Sequence, residues 1–160
     1  MEIDIKNDDM DGEEDIKWMY YALELANYAK KIEEVPIGAV LVRDNKVLGK
    51  GWNCPISTCD PTAHAEIQAI RASGNYLKNY RLVSSTLYTT LEPCSMCAGA
   101  AIQARVKRIV FGAFDPKSGA AGTVINIFSA GLFNHNVEIR GGVLAELSES
   151  ILTTFFRVRR

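Results

Sequence analysis

The order of apolar and polar positions divides the chain into short segments of changing period. From Ile16 onward the apolar residues recur at helical spacing. Ile16, Met19, Tyr20, Leu23 and Ala26 fall on one face with Asn27 as its single polar member, which predicts a helix. Pro36 opens a new segment. Ile37 to Val42 and Val47 to Trp52 read as strands, and Asp44-Asn45-Lys46 between them is a hairpin signal. Asn53 to Pro61 holds two prolines and reads as a loop, with a helix expected from about Thr62 to Ser73. Thr86 to Leu91 is β-rich. Pro93 suits a first helical turn, and the alanine-rich Cys94 to Arg105 reads as helix. Arg108 to Phe114 is an apolar strand, Asp115 to Gly122 a glycine-rich loop, Val137 to Arg140 a short edge strand, and Val143 to Phe156 a last helix. Strands alternating with helices predict an α/β domain whose sheet is largely covered.

The 160 residues suffice for one domain with a real core, and 48% of them are hydrophobic. No apolar run approaches the ~20 residues of a membrane span. The start, Met1 to Asp15, is acidic and lacks the basic beginning and apolar stretch of a signal peptide, so a soluble, cytoplasmic protein is expected. That stretch carries eight acids and one base, and is expected to be a flexible tail (1–15) before a single domain (16–160). The remainder has 11 acids against 17 Lys or Arg, a net of +6. A basic body suits an anionic partner such as nucleic acid, although charge alone favours the plainer reading of a solvated surface with scattered charge.

Chemistry concentrates in two places. Pro93-Cys94-Ser95-Met96-Cys97 puts two cysteines three apart at a predicted helix start, on one helical face. Partial positive charge at a helix N-terminus favours thiolate over thiol. A catalytic zinc takes three protein ligands and keeps one position for water, so two sulfurs need one more ligand. Of the two histidines, His64 and His135, the first lies at a predicted helix start with Ala65 and Glu66 after it. A carboxylate there could take a proton from water and pass it on. Residues two apart do not face the same way on an ideal helix, so the spacing leaves open whether Glu66 reaches that water. A C-x-x-C pair alone fits a redox pair, half of a structural zinc site, or two buried cysteines. Cys54 and Cys59 are candidates for further ligands of a structural site, or free thiols. Taken together, H-A-E followed by P-C-x-x-C is the pattern of zinc-dependent nucleobase deaminases.

Beyond that pair, the chain resembles the tRNA-specific adenosine deaminases of the cytidine deaminase-like superfamily. The resemblance runs from about Asp15 to Arg160. Its carriers include Val35-Pro36-Ile37-Gly38-Ala39-Val40, Gly51-Trp52-Asn53, Asp60-Pro61-Thr62-Ala63-His64-Ala65-Glu66, Asn79-Tyr80-Arg81-Leu82, Thr90-Leu91-Glu92-Pro93-Cys94, Gly119-Ala120-Ala121-Gly122 and the ending Phe155-Phe156-Arg157-Val158-Arg159-Arg160. The resemblance implies a three-layer α/β/α fold with a five-stranded mixed sheet covered by helices, a homodimer, and one Zn2+ per subunit on His64, Cys94 and Cys97. It implies hydrolysis of adenosine to inosine at wobble position 34 of a tRNA, with Glu66 moving protons. The alternative within the fold is deamination of a free base or nucleoside, guanine or cytidine. Asn53 matches a base-contacting asparagine, and Ala65 offers its N–H to the base. Asp115, Lys117 and Phe156 match positions near an RNA loop, with Arg157, Arg159 and Arg160 expected to grip the RNA. The acidic start and the two cysteines Cys54 and Cys59 are not part of the family pattern.

Overall fold

A computed structural model describes the backbone of residues 6–159 and the side chains of residues 12–159. Five strands form one mixed sheet in the order β2-β1-β3-β4-β5, with β1 Gly38–Arg43, β2 Lys46–Trp52, β3 Thr86–Leu91, β4 Arg108–Ala113 and β5 Glu138–Arg140. β1 is antiparallel to both β2 and β3, whereas β3, β4 and β5 run parallel. Asp44 and Asn45 take positive φ (52° and 57°), the twist a two-residue hairpin needs.

Period-two alternation sends successive side chains to opposite faces, and each face is covered. Ala39, Leu41, Leu87 and Ile109 pack with α3 (Ala65–Leu77) and α4 (Ser95–Gln103) through Ala65, Ala69, Ala101 and Ile102. Val40, Val42, Tyr88 and Val110 meet α1 (Lys6–Lys31) and α5 (Ala145–Val158) through Trp18, Met19, Ala22 and Ile151. The expected three-layer fold is therefore the observed one. Gly49 and Gly51 of β2 let the backbone of α3 lie directly on the sheet. A Cβ at either would collide with Ala69 or Ala65 of that helix. This close approach fixes where the N-terminus of α3 emerges.

The N-terminal expectations need correction. α1 begins at Lys6, so most of the stretch expected to be a tail is helical; Met1–Ile5 lie outside the described residues. Its buried face is Asp15, Trp18, Met19, Ala22, Leu23, Ala26 and Ala29, while Ile16, Tyr20 and Asn27 point outward. Asp15 explains the offset. It is 1% exposed, and both carboxylate oxygens accept from Arg108 at 2.7 Å, with Arg140 and the Tyr88 hydroxyl as further donors. A buried acid paired across the sheet turns the helix so that Asp15 faces inward.

Other boundaries move less. The loop after β2 contains a short helix, α2 (Pro55–Thr58). α3 starts at Ala65 rather than Thr62, because Asp60 draws the N–H and hydroxyl of Thr62 into a local turn. α4 stops at Gln103, two residues before Arg105, whose φ is 63°. α5 starts two residues later than expected, after Leu144 at positive φ, and runs on to Val158.

Candidate active site

Two helix N-termini converge at the C-terminal end of β3. His64 is the N-cap of α3 and Cys94 the N-cap of α4, both with extended backbone (φ −72°, ψ 154° and φ −74°, ψ 174°). That conformation answers the question the spacing left open. His64 lies outside the helix, so the rule that helical positions two apart diverge does not apply, and His64 and Glu66 turn into one space. Cys94 likewise precedes its helix, and Cys97 in the first turn meets it there.

The Sγ atoms of Cys94 and Cys97 stand 3.6 and 3.5 Å from His64 Nδ1. Tetrahedral Zn2+ with ordinary Zn–S and Zn–N bonds would separate those atoms by ~3.6 Å, so the donor set fits such an ion in both chemistry and span. Among the described residues these three form the one group of His, Cys, Asp or Glu able to hold a metal. The free Cys54 and Cys59 are not in it. His135 is engaged elsewhere, its Nε2 lying 2.7 Å from the Val106 carbonyl.

Glu66 is buried at 4% exposure and its Oε2 accepts from Cys97 Sγ at 3.3 Å. Thr89 Oγ1 donates to Oε1 at 3.1 Å, fixing the carboxyl from the sheet side. Burial is the main influence on Glu66 and pushes its pKa up, with the neighbouring Cys94 adding to the rise. The Cys97 thiol beside Cys94 holds that group down at about 4, and His64 adds to the effect. Cys97 is pushed up, first by its link to Cys94 and then by burial. The Cys94 contact in turn raises His64 against its burial. A partial positive charge from both helix ends favours negative charge in this space.

The residues matched to substrate contacts fall in two places. Asn53 and Ala65 lie on the α3 side of the sheet. Asn53 is 6% exposed and donates its N–H to the Ile37 carbonyl, yet its side-chain oxygen is buried without a hydrogen-bond partner. It therefore does not close a turn on its own backbone, and an unsatisfied buried acceptor is free for a ligand's donor. Ala65 is the first residue of α3, where a backbone N–H has no partner within the helix.

The second group lines an open groove of about 890 Å³ between the loop after β4 and α5, bordered by Asp115, Lys117, Phe156, Arg157 and Arg159. Asp115 is already partnered, accepting from the N–H groups of Lys117 and Ser118 and from the Ser118 hydroxyl. Phe155 is core, at 4% exposure, while Phe156 is 48% exposed and forms part of the groove wall. The Arg159 guanidinium stacks 3.5 Å from the Phe155 ring centroid and donates to the Phe155 carbonyl. Arg160 lies outside the described residues.

Sequence reading missed Thr89, because a threonine in a strand carries no signal until the helix above it is placed. It also gave no role to Glu34, which is buried and accepts from the Ser57 N–H at 2.7 Å, tying α2 to the end of α1.

Comparison with known proteins agrees with this geometry. The MafB19-like deaminase family matches residues 13–160. A tRNA-specific adenosine deaminase of Haemophilus influenzae is 53% identical over 150 residues, covering 93% of this chain and 87% of its own length. A solved structure from work on A-to-I editing by tRNA:A34 deaminases is 42% identical with a TM-score of 0.82, covering 85% of this chain and 99% of that one. A guanine deaminase of Nitrosomonas europaea, at 23% identity and TM-score 0.76 over 88% of this chain and 83% of that one, shares the fold alone. With its His, Cys, Cys and Glu side chains gathered where two helices begin, the chain belongs to the MafB19-like deaminase family and, within it, to the tRNA-specific adenosine deaminases.

Proposed function

We propose that this protein hydrolyses adenosine to inosine at wobble position 34 of a tRNA anticodon, with Zn2+ held by His64, Cys94 and Cys97, one ion per subunit. The observation that carries the proposal is the buried Glu66 carboxyl against that ligand group, in a chain 53% identical to a tRNA-specific adenosine deaminase. When bound, the ion supplies Lewis-acid activation of water at neutral pH. Glu66 takes the proton from the attacking water and returns protons to the purine ring nitrogen and to the departing amine. The C6–N bond breaks, a C6 carbonyl remains, and ammonia leaves. Thr89 holds Glu66 Oε1 so that the other oxygen faces the reacting atoms. Asn53 and the Ala65 N–H orient the base, and burial around Glu66 excludes bulk water.

An anticodon loop is single-stranded, so its bases can be splayed out and stacked on aromatic groups. We assign Phe156 to such stacking, and Lys117, Arg157 and Arg159 to phosphates, with Asp115 shaping the loop that carries Lys117. Arg160 continues the basic run. A homodimer and a cytoplasmic location complete the reading. The dimer is supported by the apolar side chains Val124, Leu132 and Phe133, which are 52%, 59% and 48% exposed. Among the described residues no helix is long and apolar enough to cross a membrane.

The deciding experiment incubates purified protein with an A34 anticodon stem-loop and, in parallel, with guanine, cytidine and adenosine. Inosine in the RNA alone is expected. Deamination of free guanine or cytidine, with the RNA untouched, would replace this reading with the free-base alternative.

The groove makes a second prediction. Each phosphate contact to a single strand contributes roughly 0.7 to the slope of log affinity against log salt. The double variant Arg157→Ala, Arg159→Ala should bind the stem-loop more weakly at low salt, with a slope shallower by about 1.4. Phosphate contacts carry no sequence information, so the preference among loop sequences should stay the same. Arg159 also packs on Phe155, and binding titrations are therefore read beside a melting curve. A lower melting temperature with unchanged slope would make the arginines helix-end stabilisers only.

A further inference from the structure

Glu92 lies two residues before Cys94 and is 1% exposed. Its carboxylate is satisfied entirely by the loop that follows β4. Oε1 accepts from the Asp115 N–H at 3.2 Å and from the Thr123 hydroxyl. Oε2 accepts from the N–H groups of Ala121 and Thr123 at 3.0 and 3.2 Å. The same loop returns to the chain beside Glu92, where Ala120 donates its N–H to the Pro93 carbonyl at 2.9 Å. Gly119 passes so close to the carboxylate that a Cβ there would overlap it.

We propose that Glu92 is a positioning residue that locks loop 115–123 to the start of α4, fixing Asp115 and Lys117 relative to the His64, Cys94 and Cys97 group. The inference rests on the RNA-contact reading of the groove given above. Four donors reach one carboxylate from residues 115, 121 and 123, so this single side chain closes the loop at both ends. Hydrogen bonds to a charged acceptor are stronger than neutral ones, and this carboxylate, itself 1% exposed, is shared by all four donors. Glu92 itself is spent on these bonds and does not reach the reacting atoms. Its contribution is the distance between the place where the base reacts and the place where the neighbouring nucleotides are held.

In Glu92→Gln the shape is kept but one oxygen becomes an NH2 group that faces N–H donors. The expected result is a KM for the stem-loop raised roughly tenfold with a much smaller change in kcat. Metal content should remain at the wild-type level. Hydrogen exchange should accelerate at the Ala121 and Thr123 amides and stay unchanged at Val110 in the core. Equal losses in kcat and kcat/KM with KM unchanged, or loss of the metal, would overturn the proposal, because Glu92 would then serve the ligand helix and not the loop. Unchanged exchange at Ala121 and Thr123 would overturn it as well. Should Glu92→Gln not fold, Thr123→Val removes one of the four bonds and is expected to shift KM and exchange the same way by a smaller amount; no shift in either would be decisive against the lock. The exchange measurement needs no RNA. Failure of the wild-type protein to act on the stem-loop would sink the proposed function and leave the test of the lock standing.

Discussion

Glu66→Gln is expected to retain metal at the wild-type stoichiometry and to lose at least ~100-fold in turnover, the least that removal of a general acid–base group costs. The amide is nearly isosteric with the carboxyl, and its oxygen can still accept from Thr89 Oγ1, so the side chain keeps its place. What it cannot do is accept a proton from water and give it up again. Stem-loop affinity should change little, because the substrate contacts assigned to Asn53, Ala65 and the groove are untouched. Metal analysis by mass spectrometry beside single-turnover kinetics separates the outcomes. Near-wild-type turnover would remove Glu66 from the mechanism, and loss of the ion would make it a ligand. Thr89→Val provides a graded companion. It removes the donor that fixes Oε1 and should slow the reaction by less than Glu66→Gln does, with the metal again in place.

How far the sequence alone led is best seen at these same residues. His64, Cys94, Cys97 and Glu66 were legible because metal chemistry restricts residue type and spacing tightly, and the structure brings all four together. The convergence of His64 with Glu66 was not legible from periodicity. It depends on His64 being an extended N-cap, and helix starts are the least certain feature of a hydrophobic pattern. A sheet covered on both faces followed from the alternation of strands with helices, and β1, β3 and β4 fell within a residue or so of expectation. Glu92 was visible only as part of a motif. Nothing local indicates that its acceptors are filled by residues more than twenty positions away. The N-terminus misled for a related reason. Eight acids in fifteen residues look like solvated chain, and composition cannot reveal that one of them has arginines waiting across the sheet.

Asp15 therefore makes the largest stability prediction. Its carboxylate joins α1 to β4 through Arg108, to β5 through Arg140 and to β3 through Tyr88. Burial works to raise its pKa, but the hydrogen bond and charge of Arg108, followed by Tyr88 and Arg140, outweigh it and leave the group below the ordinary carboxylate value. Asp15→Ala deletes a carboxylate that Arg108, Arg140 and Tyr88 share. Arg140 is half-exposed and can turn to water, whereas Arg108 is more enclosed, with 22% of its side chain accessible. The expected cost is about 3 kcal/mol, the low end of what breaking a buried ion pair costs. Urea unfolding monitored by circular dichroism measures it. The pH dependence has a definite sign. A carboxyl whose folded pKa is depressed stabilises the fold above the unfolded value, near 4, and that contribution disappears as pH falls through the folded value. Wild type and Asp15→Ala should thus differ most at neutral pH and converge below about pH 4. A deletion of Met1 to Asp15 removes the same anion and should be similarly destabilised. A stable, fully folded Asp15→Ala protein with an unchanged acid limb would show that apolar contacts from Trp18, Met19 and Ala22 alone hold α1 to the sheet.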